Sequence, residues 1–155
     1  MTYTWQEIEQ DWLGGSGGLA ASQDEVLSAF NEVASRFGRD WVEATRTRNG
    51  IVSRGIAPTL YVVTSARLLR ALDGVPNTAR LLEKVRQGDS DARAELIAIY
   101  LLRAENPNAR VEVEPEIRVG NRNRMPDLRA QIAGEPWTYT LRLRIRIPRT
   151  RKQTY

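Results

Sequence analysis

The sequence predicts an α+β fold: a helical region, then a buried helix and a three-stranded, mainly antiparallel sheet. Three observations carry this. Apolar residues recur with helical period as far as about residue 105. Beyond Pro107 the period changes to the alternation of strands. The chain has 155 residues of which 41% are hydrophobic, enough to bury the core of one compact soluble domain. The boundaries this implies are a helical region at 1–88, a helix-and-strand core at 89–147 and a basic, disordered tail at 148–155.

Each element has a local reason. Thr4-Trp-Gln-Glu7 and Ser22-Gln-Asp-Glu25 carry the reciprocal capping pattern, in which a hydroxyl and a Glu three residues on satisfy orphan amides at a helix start. The first helix is short and ends before Gly14-Gly-Ser-Gly-Gly18. That loop lacks a following Lys-Ser/Thr and a preceding strand, so it reads as a flexible linker and not as a phosphate cradle. The second helix runs to about Phe37, with Val26, Leu27, Phe30, Val33, Ala34 and Phe37 as its apolar stripe, and Gly38 breaks it. From Trp41 to Ala57 the chain turns polar around Asn49-Gly50, with Arg46, Arg48 and Arg54 nearby, and reads as a loop or an irregular hairpin. Pro58 suits the start of a helix whose apolar part, Leu60 to Leu72, ends at Asp73-Gly74. A further helix spans about Asn77 to Gln87. Trp5, Trp12, Trp41 and Tyr61 lie inside helical patterns and are taken as core anchors, not base-stacking platforms.

The helix from Asp89 or Ser90 to about Glu105 contains Leu96-Ile-Ala-Ile-Tyr-Leu-Leu102, apolar almost all round, and is expected to be central. Glu95 shares its face with Ile99 and Leu102. A carboxylate aimed at a core needs a cation such as Arg103 or Arg129, a metal, or a route to solvent. Three strands follow: Val111, Val113, Ile117 and Val119 alternate with charges, Gly120 to Arg124 turns the chain, and Leu128, Ala130 and Ile132 form the second. Gly134-Glu135-Pro136 turns again before Trp137 to Ile147, where Leu141, Leu143, Ile145 and Ile147 alternate with Arg142, Arg144 and Arg146.

Composition limits the chemistry. The chain has no Cys and no His, which excludes Cys nucleophiles, Ser-His triads, disulfides and the usual zinc sites. Any catalysis must use carboxylates, Lys/Arg, hydroxyls or a hard cation such as Mg²⁺. From Leu141 onward six basic residues stand with no acid, against 17 basic and 19 acidic residues in the first 140. Such an end is suited to phosphates on nucleic acid or to solvent. No basic segment leads into an apolar run near the start, and nothing approaches the roughly 20 apolar residues of a spanning helix. A cytoplasmic protein without a membrane partner is expected.

The order helix with Glu, strand, strand opening on Pro-Asp, hairpin, strand resembles the PD-(D/E)XK nuclease superfamily, the restriction-endonuclease-like fold. The resemblance covers about residues 89–147, as a partial αβββ core. It rests on Ala94-Glu95-Leu96, Glu114-Pro115-Glu116-Ile117 and Arg124-Met-Pro-Asp127-Leu. It implies a Mg²⁺-dependent DNA endonuclease ancestry, with Asp127 and Glu95 as catalytic metal ligands. In that family the next strand brings a second carboxylate and, two residues later, a Lys. Those positions align here with Leu141 and Leu143; a one-residue slip presents Arg142 and Arg144 instead. Arg124, Arg142, Arg144 and Arg146 are the expected nucleic-acid contacts, with DNA the leading partner and RNA the second. The residues that follow are too few for the family's crossover helix and further strand, and the final strand edge is open to pairing with another chain. Two explanations fit: a divergent, non-catalytic member, or a change of reading frame near Thr140 that replaced the active-site strand. Impaired or absent activity follows from either. A non-enzymatic module gripping nucleic acid or an acidic protein through its arginines is the alternative, and a plain Asp127–Arg129 ion pair at a turn exit is the third.

Overall fold

The computed structural model describes residues 2–15, 19–114, 117–119, 122–124, 128–132 and 138–141, the strand segments 117–119, 122–124 and 138–141 as backbone. It is a mainly helical α+β fold. Chain contacts divide it into two compact units, Met1–Gly74 and Val75–Tyr155, so the helix after Asn77 falls in the second.

The first unit is built on α1 (Trp5–Glu7), a π-helical segment (Ile8–Leu13), α2 (Gln23–Phe37), α3 (Arg39–Thr45), a hairpin of β1 (Thr47–Arg48) and β2 (Ile51–Val52), and α4 (Ile56–Arg70). The Thr4 box forms in full: Glu7 N donates to Thr4 Oγ1 and Thr4 N donates to the Glu7 carboxylate. At Ser22 only the hydroxyl half is seen, accepting from Glu25 N, because the Glu25 carboxylate turns to Arg67 of α4 at 2.6 Å. The π-helical segment closes when Gly14, left-handed at φ +59°, donates to Glu9 O. This winding places Ile8, Trp12 and Leu13 inward together. Trp12 meets Phe30 of α2 edge-on at 4.8 Å, and α2 packs on α3 and α4. Thr59 and Ser65, buried on α4, each donate to the carbonyl four residues back, so their hydroxyls cost the core little.

Trp41 lies in α3, a helix the polar composition of 41–57 concealed; Gly38 separates it from α2 while its apolar face, with buried Val42, still faces inward. The rest of that stretch is a hairpin. Thr47 pairs with Val52 and Arg48 with Ile51, leaving Asn49-Gly50 as a two-residue turn with both φ values positive, the conformation Asn-Gly favours.

The second unit contains α5 (Ala79–Arg86), α6 (Ser90–Glu105), β3 (Arg110–Val113), β4 (Ile117–Val119), β5 (Arg122–Arg124), β6 (Leu128–Gln131) and β7 (Thr138–Leu141). Asp89 caps α6 by accepting from the amides of Asp91 and Ala92. Beyond it α6 departs from expectation. Ala92, Glu95, Leu96 and Ile99 form one buried stripe, but Ile97 and Leu101 are 39% and 55% exposed. The helix is therefore half-buried and not central: its 3.6-residue repeat turns one apolar stripe to the core and the other outward.

The sheet is also more broken than the alternation predicts. β3 pairs antiparallel with β6, and the backbone of β7 pairs antiparallel with β6, in the order β3-β6-β7. The segment 117–124 does not extend β3. It folds back as a separate hairpin, β4 on β5, so Arg122–Arg124 is strand where a turn was expected. The break falls at Glu114, whose φ of +44° takes the chain out of the extended region. Among the described residues no helix is long and apolar enough to cross a membrane.

Candidate functional site

The β3–β6 ladder has two chemically distinct faces, set by the two-residue period of strands. Val111 stands opposite Ala130 and Val113 opposite Leu128, and all four are buried. On the other face Arg110 stands opposite Gln131 and Glu112 opposite Arg129. The last two form an ion pair at 2.6 Å, each about a third exposed. Arg129, considered from the sequence as a partner for Glu95 or Asp127, is thus held by Glu112, the acid directly across the ladder.

Glu95 is where the helical spacing puts it, 8% exposed, with Oε1 shielded from solvent, in the stripe of Ala92, Leu96 and Ile99. Asp127, its expected partner in metal binding, precedes β6 directly in sequence but lies outside the described residues, as do Arg142, Arg144 and Arg146. Leu143, aligned with the missing Lys, also lies outside them. Arg124 ends β5, opposite Ile117, and is described there as backbone. The structure therefore brings no two of the expected site side chains together among the described residues.

Glu114 has a role the sequence did not reveal. Its carboxylate binds Arg80 at 3.2 Å and Lys84 at 3.3 Å, cations one turn apart on α5. These two ion pairs tie α5 to the end of β3 and help hold a non-glycine residue in the left-handed region. The acid that the sequence places in the nuclease-like Glu114-Pro115-Glu116 run is thereby committed to α5. The usable signal was the Arg80/Lys84 spacing of four, which puts both cations on one helix face.

Among the described residues no three acidic side chains gather as a metal cage. The described donor set for Mg²⁺ is the single Glu95 carboxylate, short of the two from separate elements that fixing the ion for hydrolysis requires. Asp127, the second ligand expected of the pair, lies outside the described residues.

Shifted ionisations sit in the first unit. Burial, and then the hydrogen bond Tyr3 donates to Glu43 at 2.8 Å, push the Tyr3 phenol well above its ordinary value. The Thr4 amide, then the Thr4 hydroxyl and Arg39, hold Glu7 below the usual carboxylate range. Burial alone would lower Arg39, but the hydrogen bond to Glu7 at 3.3 Å, then the Tyr3 phenol and the Glu7 charge, outweigh it and raise the guanidinium. This network fastens Tyr3 and Glu7 to α3.

Comparison of the chain with family models, with curated proteins and with solved structures finds no match.

Proposed function

We propose that this chain is a restriction-endonuclease-like protein that binds DNA through its second unit and whose ancestral Mg²⁺-dependent phosphodiester hydrolysis is impaired or absent. The order α6, β3, β6, β7 supports the reading, with Glu95 buried on α6 and Pro126-Asp127 immediately ahead of β6 in sequence. Charge supports it too: the second unit carries 16 basic against 10 acidic residues, the first 7 against 9. An excess of cations in one unit suits contact with phosphates.

The observation that carries the loss of catalysis is the β6–β7 register. Leu141 stands opposite Leu128, on the row of the ladder that contains Val113. That row is the core row; the position the family gives to its second carboxylate is here an apolar residue across from a buried leucine. Without that acid the water to be activated has no second fixed anchor.

Two measurements on the full chain test this. Supercoiled plasmid with Mg²⁺ or Mn²⁺ is expected to stay intact; cleavage abolished by Asp127→Ala would restore a working enzyme and overturn the loss. Fluorescence anisotropy with a DNA duplex is expected to show binding that weakens by roughly 10³-fold between 50 and 200 mM salt if about six phosphates are contacted. Replacing Arg142, Arg144 and Arg146 by Ala should flatten that slope. Absence of binding at low salt would discard the nucleic-acid reading altogether.

A further inference from the structure

We propose that residues 2–13 are an exchangeable arm, able to dock on a second copy of the chain as they dock on their own and so to form an arm-swapped dimer. The arm is held as a bound peptide is held, through its main chain and a few deep anchors. The Asn31 side chain grips the Tyr3 backbone from both sides, accepting from Tyr3 N at 2.6 Å and donating to Tyr3 O at 3.2 Å. Arg39 donates to Thr2 O at 3.3 Å, Arg46 to Asp11 O at 2.6 Å, and Gly55 N to Trp12 O at 2.6 Å. The anchors are Tyr3, Ile8 and Trp12, all buried. Phe30 meets Tyr3 edge-on at 5.2 Å and Trp12 at 4.8 Å, while the guanidiniums of Arg39 and Arg46 cover the outer faces of the same two rings at 4.0 and 4.7 Å.

Every receiving group in that set lies after Gly14-Gly-Ser-Gly-Gly18 in the sequence, and every received group lies before it. None of these contacts depends on arm and body belonging to one chain. Exchange therefore conserves them and alters only the connection. That connection, residues 14–22, begins with Gly14 and Gly15 at φ +59° and +73°; glycine takes either hand of φ without penalty, so a new path costs no side-chain clash there. Nine residues reach at most ~30 Å when extended, enough to cross to a neighbouring body. The closed form has the advantage of an effective concentration on the order of millimolar for a short tether. Exchange is thus a concentration-dependent equilibrium, in which two arms and two grooves satisfy each other around a two-fold axis.

The chain has no cysteine, so introduced thiols report one contact at a time. Glu7 and Arg39 pair at 3.3 Å and are partly exposed, which makes them suitable positions. A full-length Glu7→Cys chain and a full-length Arg39→Cys chain of different mass are unfolded together, refolded at several concentrations and treated with a short bis-maleimide. The expected product is a mixed dimer whose fraction rises about tenfold for a tenfold rise in protein while it is the minor species. Replacing Arg39→Cys by Arg67→Cys, on α4, should remove that product. The proposal is overturned if the mixture gives no interchain product while the Glu7→Cys/Arg39→Cys double variant links within one chain. It is equally overturned if the Arg67→Cys control gives as much product, or if the double variant fails to link within one chain.

Discussion

The two units solve the problem of charge in opposite ways. In the first, Arg36, Arg39, Arg46, Arg67 and Arg70 each have a carboxylate partner, mostly on another element: Arg36 reaches Asp73 at 2.7 Å, and Arg70 of α4 reaches Glu32 of α2. Its 7 basic and 9 acidic residues are largely spent on holding helices together. The second has six more cations than anions, and among its described pairs Glu112–Arg129 and Glu114 with Arg80 and Lys84 fasten the rim of a small sheet. The difference teaches that an arginine's number in a sequence says little about its availability. A unit that neutralises its charges internally is built for packing, whereas the excess in the other is what the DNA-binding proposal rests on.

The largest effect that tests this contrast is in the aromatic core of the first unit. Trp12→Ala should cost about 3–5 kcal/mol in a denaturant titration, because a fully buried ring wedged against Phe30 leaves a cavity. Leu128→Ala, fully buried in the small sheet, is expected to cost about 2–5 kcal/mol, toward the lower end where a small sheet can close on the gap. If Leu128→Ala proved the costlier of the two, the greater packing strength assigned to the first unit would be wrong.

Asn31→Ala should follow, at about 1–3 kcal/mol, since it strips both the donor and the acceptor from the Tyr3 backbone. Thermal melts of this variant beside Asn31→Asp separate the two bonds: Asp keeps an acceptor for Tyr3 N but cannot donate to Tyr3 O. Equal losses for both variants would mean the donated bond carries the effect.

Smaller still is the ion pair on the sheet. A double-mutant cycle on Glu112 and Arg129 is expected to give about 0.2–1 kcal/mol, because both side chains are a third exposed and water screens them. A coupling several times larger would show this pair to be as structural as those of the first unit.

The smallest expected effect is one of pH. Glu7 is held below the usual carboxylate range when folded, so its contribution is present above the unfolded glutamate value and is lost as pH falls through the folded one. Stability followed by tryptophan fluorescence should therefore decline slightly more on acidification for the native chain than for Glu7→Gln. Identical acid profiles would remove Glu7 from the fastening of residues 2–13.

Much of the first unit was legible beforehand, and particular residues explain where legibility stopped. The Thr4 box, the stop at Gly38 and the stripe from Val26 to Phe37 are local signals, each decided within a turn of its own backbone. Helix α3 was hidden because its sequence is short and polar; it persists by burying Val42 and by the hydrogen bond that Glu43 accepts from Tyr3, which comes from elsewhere in the chain. In the second unit the alternation of Val111 and Val113 was read correctly as a strand, but its continuation through Ile117 was not, because the same alternation suits a hairpin that folds away at Glu114. For the candidate site, the burial of Glu95 followed from helical spacing, while Asp127 and the arginines from Arg142 onward lie outside the described residues.

By itself the sequence determined a helical region ahead of a strand-rich one, the absence of thiol and imidazole chemistry, and the concentration of positive charge late in the chain. Those are properties of composition and short-range period, which neighbouring residues decide among themselves. Only the tertiary structure decided which carboxylate the described arginines serve, which stripe of α6 is buried, and that the backbone register sets Leu141 opposite Leu128. These depend on residues that meet in space rather than on neighbours alone, and an acid is an ion-pair partner or a helix cap according to what the fold sets beside it.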